Sequence, residues 1–220
     1  VFVPIAERFG LIGALGNWVL ETSLKQAGVW RRHGLHLRVA VNLSLHQLRD
    51  PQLSRRIVEA LQRHAVDPAW LTCEITESVA MEDTPATQRA VRRLRATGVR
   101  LSIDDFGTGY SSLAYLRRLS VHELKIDRSF VHDVHESAGS RAIVSAVVTL
   151  AHALGLKVVA EGVETLAQKR VLMDVGCDEL QGYLFAKPVS PSTLIGWASP
   201  GAPRPLEFSA STLGEMVPGL

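Results

Sequence analysis

The chain has 220 residues, of which 46% are hydrophobic and 21% are charged, and this composition is typical of a globular protein. The formal net charge of +2 gives no indication of nucleic-acid binding by bulk charge. No apolar run approaches the roughly 20 residues of a membrane span, and no signal peptide is recognisable. Cys73 and Cys177 have no metal-binding spacing, so we expect reduced core residues in a cytoplasmic protein.

The first half of the chain alternates helix and strand patterns. Apolar residues at helical spacing, among them Leu15, Trp18, Val19 and Leu24, predict a helix over residues 11–32, with these side chains packed inward. Further patterns predict a strand over 36–43, a helix over 52–64, a strand over 70–76, a helix over 84–98 and a strand over 99–103.

The second half continues the alternation. Its patterns predict a short helix after Ser112, a strand over 121–126, a helix over 140–154, a strand over 156–160, a helix over 165–175, a strand over 177–180 and a last helix from Pro191. Prolines from Pro200 onward indicate the end of the domain. Six strands separated by helices predict a parallel sheet with helices outside it.

Asp104 and Asp105 directly follow the strand over 99–103, and Gly107 and Gly109 come next. Adjacent carboxylates repel each other, and a divalent cation such as Mg²⁺ or Mn²⁺ relieves the repulsion because hard cations prefer carboxylate oxygen. By itself, the pattern fits an exposed acidic turn equally well.

Polar residues stand at the carboxyl end of each predicted strand. In a (β/α)8 barrel these ends converge on one mouth, whereas an open, doubly wound sheet would spread them along an edge. We therefore predict an α/β fold of the TIM-like (β/α)8 type, with about six βα units in this chain and two strands upstream of Val1. The strand-end residues are Asn42, Glu74, Asp104 with Asp105, Lys125, Glu161 and Gln181.

Six motifs in this order resemble the EAL domain family, whose best-known activity is hydrolysis of cyclic di-GMP to linear pGpG. They are Val41-Asn-Leu-Ser44, Glu74-Ile-Thr-Glu-Ser78, Asp104-Asp-Phe-Gly-Thr-Gly109, Lys125-Ile-Asp127, Glu161-Gly-Val-Glu164 and Gln181-Gly-Tyr183. The resemblance predicts an EAL domain over residues 1–198 and a tail over 199–220.

The resemblance implies a two-metal site for Mg²⁺ or Mn²⁺. By position, Asn42, Glu74 and Asp104 would bind a first metal. Asp104 would also bridge to a second metal that Asp105 binds. Glu161 matches a further acidic residue at the metal-water site, with a proposed role as general base.

Other residues take support roles by the same resemblance. Lys125 matches a lysine that contacts the attacking water and the phosphate, although a salt bridge to Asp104 or Glu161 would also explain it. Glu77 matches a glutamate that holds the glycine-containing loop after Asp105, which lies near the dimer interface in the family. Gln181 matches a metal-site support residue.

Five further residues are weaker candidates. Asp127 could share the mouth or cap the next helix, and Glu164 could cap the helix at Thr165 or support the site. The remaining motif residues near the substrate are Gly182, Tyr183 and Pro188, and the last two are candidates for guanine contacts.

The Glu-Ala-Leu motif that names the family is absent and is expected upstream of Phe2, so we expect an N-terminally truncated domain. The predicted function is a metal-dependent cyclic di-GMP phosphodiesterase. The alternatives are a module that binds cyclic di-GMP without cutting it, and an unrelated metal-dependent barrel hydrolase. A homodimer, and a parent protein with a GGDEF or sensory domain, are expected partners; upstream segments could anchor the parent in a membrane.

Overall fold

The computed structural model describes residues 2–82, 84–109 and 116–198. The predicted tail over 199–220 lies outside these residues, as do residues 113–115 of the short helix predicted between Ser112 and Leu119.

The described strands form one parallel sheet in which the spatial order follows the chain order. A doubly wound sheet reverses its strand order at a switch point, and the described strands show no reversal. The prediction of barrel-type winding is therefore confirmed. The strands are β1 (Val39–Asn42), β2 (Leu71–Thr76), β3 (Arg100–Phe106), β4 (Glu123–Ile126), β5 (Lys157–Ala160) and β6 (Glu179–Leu180).

Helices connect the strands and cover the outside of the sheet. None of those in the described part of the chain is long and apolar enough to cross a membrane. They are α1 (Val3–Arg8), α2 (Ile12–Arg32), α3 (Leu45–Arg49), α4 (Leu53–His64), α5 (Glu77–Ala80), α6 (Pro85–Ala96), α7 (Arg128–Val131), α8 (Ala138–Ala153), α9 (Leu166–Asp174) and α10 (Pro191–Ala198).

The sheet is curled, as a contact between its two edges demonstrates. Arg38 directly precedes β1 at one edge, and its Nη2 donates to Oε1 of Glu179 in β6, at the other edge, over 2.7 Å. In a flat sheet, five strand spacings of about 4.8 Å would hold these edges roughly 24 Å apart. The six strands therefore form a half-barrel.

The two faces of the sheet differ in polarity. Leu71, Ile75 and Leu124 are fully buried on the outer face, beneath the helices. The inner face carries buried polar residues, because successive side chains of a strand point to opposite faces. These are Thr72, Glu74, Ser102, Asp104, Glu123 and Lys125. The apolar core thus lies between the sheet and the helices, and polar and charged side chains line the interior of the half-barrel.

The predicted inner face of α2 is confirmed at Leu24, which is fully buried, but is wrong at Trp18. Trp18 is 65% exposed, and the buried side of the helix contains Gly16 and Gly28. A Cβ at Gly16 would lie 2.0 Å from the side-chain nitrogen of Gln47, and one at Gly28 would lie 2.6 Å from a backbone oxygen of His64. Close packing through glycines, which a hydrophobicity pattern does not detect, decides which face is buried.

The two thiols are free. Cys73 is buried in β2, as predicted, but Cys177 is only half-buried. Burial raises the pKa of each thiol to about 12. Neither is therefore suited to nucleophilic chemistry near neutral pH.

Candidate active site

The backbone of Asp105 brings two neighbouring carboxylates to one mouth. The strand predicted over 99–103 was expected to end at Ile103. This end is wrong, because β3 continues through Asp104 and Asp105 to Phe106. In a regular strand, Asp104 and Asp105 would point to opposite faces. Asp105 instead has a left-handed φ of 54°, and the pairing of β3 with β4 shifts register between Ile103 and Phe106. Aspartate tolerates this conformation better than most residues, so the irregularity redirects its side chain.

Lys125 is the centre of the site. Its Nζ lies 2.8 Å from Glu74 Oε1, 3.0 Å from Asp104 Oδ1 and 2.6 Å from Glu161 Oε1. The lysine side chain is 6% exposed, and that of Glu161, at 20%, is the most exposed of the four. The structure therefore gathers residues from β2, β3, β4 and the loop after β5 around one ammonium group.

Burial and charge act against each other here. Burial alone would lower the pKa of Lys125, but Glu74 and Glu161 outweigh it, and the pKa lies above its usual value. Burial raises the pKa of Glu74 and of Glu161, and the Lys125 charge opposes both shifts. The ammonium is thus the counter-ion that lets two buried carboxylates ionise.

Three carboxylates form a cluster that suits a divalent cation. Oxygen atoms of Asp104, Asp105 and Glu161 lie within 4.8 Å of one another. Burial, then the charge of Asp104, raises the pKa of Asp105. Oδ1 of Asp104 is buried, accepts no hydrogen bond within the described part of the chain, and lies 3.0 Å from the Lys125 ammonium as an ion pair. Converging carboxylates with an unsatisfied buried oxygen fit a hard cation.

The remaining predicted metal-site residues flank this cluster. Asn42 ends β1, pairs in register with Glu74 and is exposed. Gln181 follows β6, and its backbone N–H donates to the Ala160 carbonyl over 2.8 Å. Both therefore lie at the carboxyl edge of the sheet, on opposite sides of the acidic cluster.

Glu77 holds the turn that follows Asp105. It is 2% exposed, and its Oε2 accepts hydrogen bonds from the backbone N–H groups of Gly107, at 2.8 Å, and Gly109, at 3.2 Å. The described part of the loop thus has the support that the resemblance implied. The residues that complete the loop, 110–112, lie outside the described part of the chain.

We expect Glu77→Ala to lower the free energy of unfolding by about 2–3 kcal/mol, because two backbone N–H groups lose the charged acceptor that a buried side chain provides. Glu77→Gln keeps an acceptor oxygen and should cost about half as much. Denaturant unfolding measures both costs, and amide hydrogen exchange at Gly107 and Gly109 locates the effect. Unchanged exchange at these two amides in the alanine variant would contradict the support role.

The structure shows the local contacts of two support candidates. Asp127 caps α7, since its Oδ1 accepts from the Ser129 N–H at 3.0 Å. Glu164 is exposed, and Thr165, not Glu164, caps α9 through its side chain. The capping prediction for Glu164 is therefore wrong, because the hydroxyl one position later takes that place.

Gly182 packs closely against the loop that carries Glu161. A Cβ there would lie 2.2 Å from the Val163 carbonyl oxygen and 2.3 Å from its nitrogen, so only glycine fits. Tyr183 is 59% exposed, with Lys187 Nζ 5.7 Å from its ring centroid, and Pro188 is exposed. These two side chains are accessible but are not packed into the acidic cluster.

The sequence patterns did not identify α7 as a contributor. A Cβ at Gly107 would lie 2.6 Å from the Phe130 ring, and one at Gly162 would lie 2.6 Å from Cβ of Arg128. This short helix therefore packs against both the turn after Asp105 and the loop that carries Glu161. In the sequence, the glycines at 107 and 162 were the signal that could have indicated this packing.

Comparisons with known proteins agree with this geometry. The EAL domain family matches residues 1–188. The bifunctional diguanylate cyclase/cyclic di-GMP phosphodiesterase MucR of Pseudomonas aeruginosa is 46% identical over 195 residues, which cover 88% of this chain and 28% of MucR. This chain thus spans little more than a quarter of that relative.

Solved structures give the same result. The PaMucR phosphodiesterase in complex with c-di-GMP superposes with a TM-score of 0.84 at 46% identity, covering 88% of this chain and 78% of that one. The EAL domain of Mycobacterium smegmatis DcpA gives 0.80 at 39% identity, covering 84% of each chain. The half-barrel is thus part of a TIM-like fold, and the chain belongs to the EAL domain family.

Proposed function

We propose that this domain hydrolyses cyclic di-GMP to linear pGpG in a reaction that depends on Mg²⁺ or Mn²⁺. The observation that carries the proposal is the carboxylate cluster of Asp104, Asp105 and Glu161 around a buried lysine, at the mouth of the half-barrel. MucR, named for this activity, is a close relative over most of the chain. The intact polar cluster favours an enzyme over a module that only binds the dinucleotide.

The residues that would hold two cations are Asn42, Glu74, Asp104, Asp105 and Glu161. When bound, such cations would lower the pKa of the attacking water and screen the negative charge of the phosphodiester. The donor set supports this assignment because it combines converging carboxylates with the unsatisfied oxygen of Asp104.

Glu161 is our candidate for the general base. Burial raises the pKa of its carboxylate, which makes it a better proton acceptor than an ordinary glutamate near neutral pH. Lys125 Nζ, 2.6 Å from Glu161 Oε1, would orient the attacking water and stabilise charge that develops on the phosphoryl oxygens. Asp105 completes the catalytic set.

The rest of the predicted set would bind or support substrate. Gln181 and Gly182 follow β6 and would support the metal side, whereas Tyr183 and Pro188 are exposed and accessible to a guanine base. Asp127 and Glu164 would act from the outer edge of the mouth.

We expect pGpG release to require a divalent cation. The test follows pGpG by chromatography with Mg²⁺, Mn²⁺ or excess chelator, and measures cyclic di-GMP binding in parallel. It is run on this chain and on any longer protein that contains it. Chelation should stop turnover without changing the circular dichroism spectrum. Binding without turnover in both proteins, with cations present, would instead favour the non-catalytic module.

The assembly is part of the same proposal. We propose a domain over 1–198 with a tail over 199–220, a homodimer formed through the loop after Asp105, and a GGDEF or sensory domain in the parent protein. MucR, whose name includes a diguanylate cyclase, supports the GGDEF domain. A cytoplasmic location is supported by the two free thiols.

A further inference from the structure

Two of the three contacts of Lys125 involve oxygens of residues in the proposed first metal site. Nζ lies 2.8 Å from Glu74 Oε1 and 3.0 Å from Asp104 Oδ1, and both residues belong to the proposed first metal site. A Mg²⁺ ion binds oxygen at about 2.0–2.1 Å. A cation bound to these two oxygens would therefore lie close to the ammonium, and like charges at such short range repel.

Burial prevents water from relieving this repulsion. The side chains of Lys125 and Glu74 are 6% and 8% exposed, and interactions between buried charges are screened far less than those at a surface. The ammonium and a divalent cation are therefore alternatives at Glu74 and Asp104 unless the lysine moves.

Glu161 is the one partner of Lys125 that lies outside the proposed first metal site. Glu161 Oε1 is the closest of the three oxygens, at 2.6 Å, and its side chain is the most exposed, at 20%. A lysine stem has four rotatable carbons and carries a compact charge. Nζ can therefore leave Glu74 and Asp104 and remain paired with Glu161 at the mouth.

We propose that Lys125 is an internal cation that competes with the divalent metal for Glu74 and Asp104, so that metal binding displaces its ammonium towards Glu161. This inference rests on the metal site of the proposed function. Metal affinity is then set partly by the lysine.

The test compares wild type with Lys125→Met, which removes the charge and keeps much of the side-chain volume. We expect Mn²⁺ to bind the variant about tenfold or more tightly by calorimetry, because the competitor is gone. Melting in chelator should begin at a lower temperature, since the carboxylates lose their counter-ion. Addition of Mn²⁺ should then raise the Tm of the variant by more than that of the wild type.

Arg100→Met is the matched control. Arg100 Nη2 pairs with the buried Glu123 carboxylate at 3.2 Å, at the opposite end of the half-barrel. Its loss should also lower the Tm but leave the Mn²⁺ affinity unchanged. This separates competition for the metal from general destabilisation.

A wild-type measurement keeps the inference testable if Lys125→Met does not fold. In ¹⁵N-lysine-labelled protein, Mg²⁺ should shift the Lys125 ammonium resonance and leave that of the exposed Lys157 in place. An unchanged Lys125 resonance in metal-bound protein, or equal or weaker Mn²⁺ affinity in folded Lys125→Met, would overturn the competition while leaving the metal site standing. No metal binding to either protein would reject the metal site itself.

Discussion

Glu161→Gln is expected to lower kcat for cyclic di-GMP hydrolysis by about 10²- to 10⁴-fold while leaving dinucleotide binding measurable. The substitution keeps the shape of the side chain but removes the proton acceptor. We propose guanine contacts at Tyr183 and Pro188, outside the acidic cluster, so the loss should fall on transition-state stabilisation and not on binding. The measurement is pGpG release under saturating substrate, with binding followed by calorimetry.

Asp105→Asn tests the same site from β3. Asparagine also tolerates the left-handed backbone at this position, so the fold should survive while a ligand charge is lost. Glu59→Gln is the control, because Glu59 pairs only with the exposed Arg55 among the ion pairs of the described residues. Full turnover by Glu161→Gln, or by wild type in chelator, would contradict the two-metal mechanism.

Much of the half-barrel could be predicted because its strands and helices have strong local sequence patterns. The apolar run over 156–160 forms β5 (Lys157–Ala160), and the polar residues predicted at the strand ends do lie in the carboxyl-terminal half of their strands or directly after them. A parallel sheet buries its strands on both faces of the backbone, so the sequence signal was clear. Alternation of strand and helix predicted the parallel sheet, and the polar strand ends favoured the barrel over the doubly wound sheet.

The features that the sequence did not predict depend on backbone irregularity or on contacts between residues far apart in the chain. The left-handed backbone at Asp105 has no propensity signature, which is why β3 was predicted to end before its carboxylates. The pair formed by Arg38 and Glu179 spans 141 positions and exists only because the sheet curls. Likewise, a salt bridge of Lys125 to one carboxylate was foreseen, whereas its simultaneous contact with three required the ring of strand ends.

Gly182→Ala is expected to lower the free energy of unfolding by about 3 kcal/mol, near the upper end of the usual cost of overpacking. The new methyl group would lie 2.2 Å from the Val163 carbonyl oxygen and 2.3 Å from the Val163 nitrogen. Val163 cannot easily move away, because its N–H donates to the Gln181 carbonyl at 3.0 Å and its carbonyl accepts from the Leu184 N–H at 2.9 Å.

The same substitution should reduce hydrolysis beyond its effect on stability, because Val163 lies two residues after Glu161 and a shifted loop would misplace the base. Gly139→Ala is the control: it lies in α8, and its added methyl group would be 3.6 Å from the nearest atom, Oγ of Ser137. That variant should be as stable as wild type or slightly more so, because alanine favours a helix over glycine. Denaturant unfolding and pGpG release, both measured where each variant is fully folded, separate the two effects. Equal stability and turnover of Gly182→Ala and Gly139→Ala would show that the loop after β6 does not constrain Glu161.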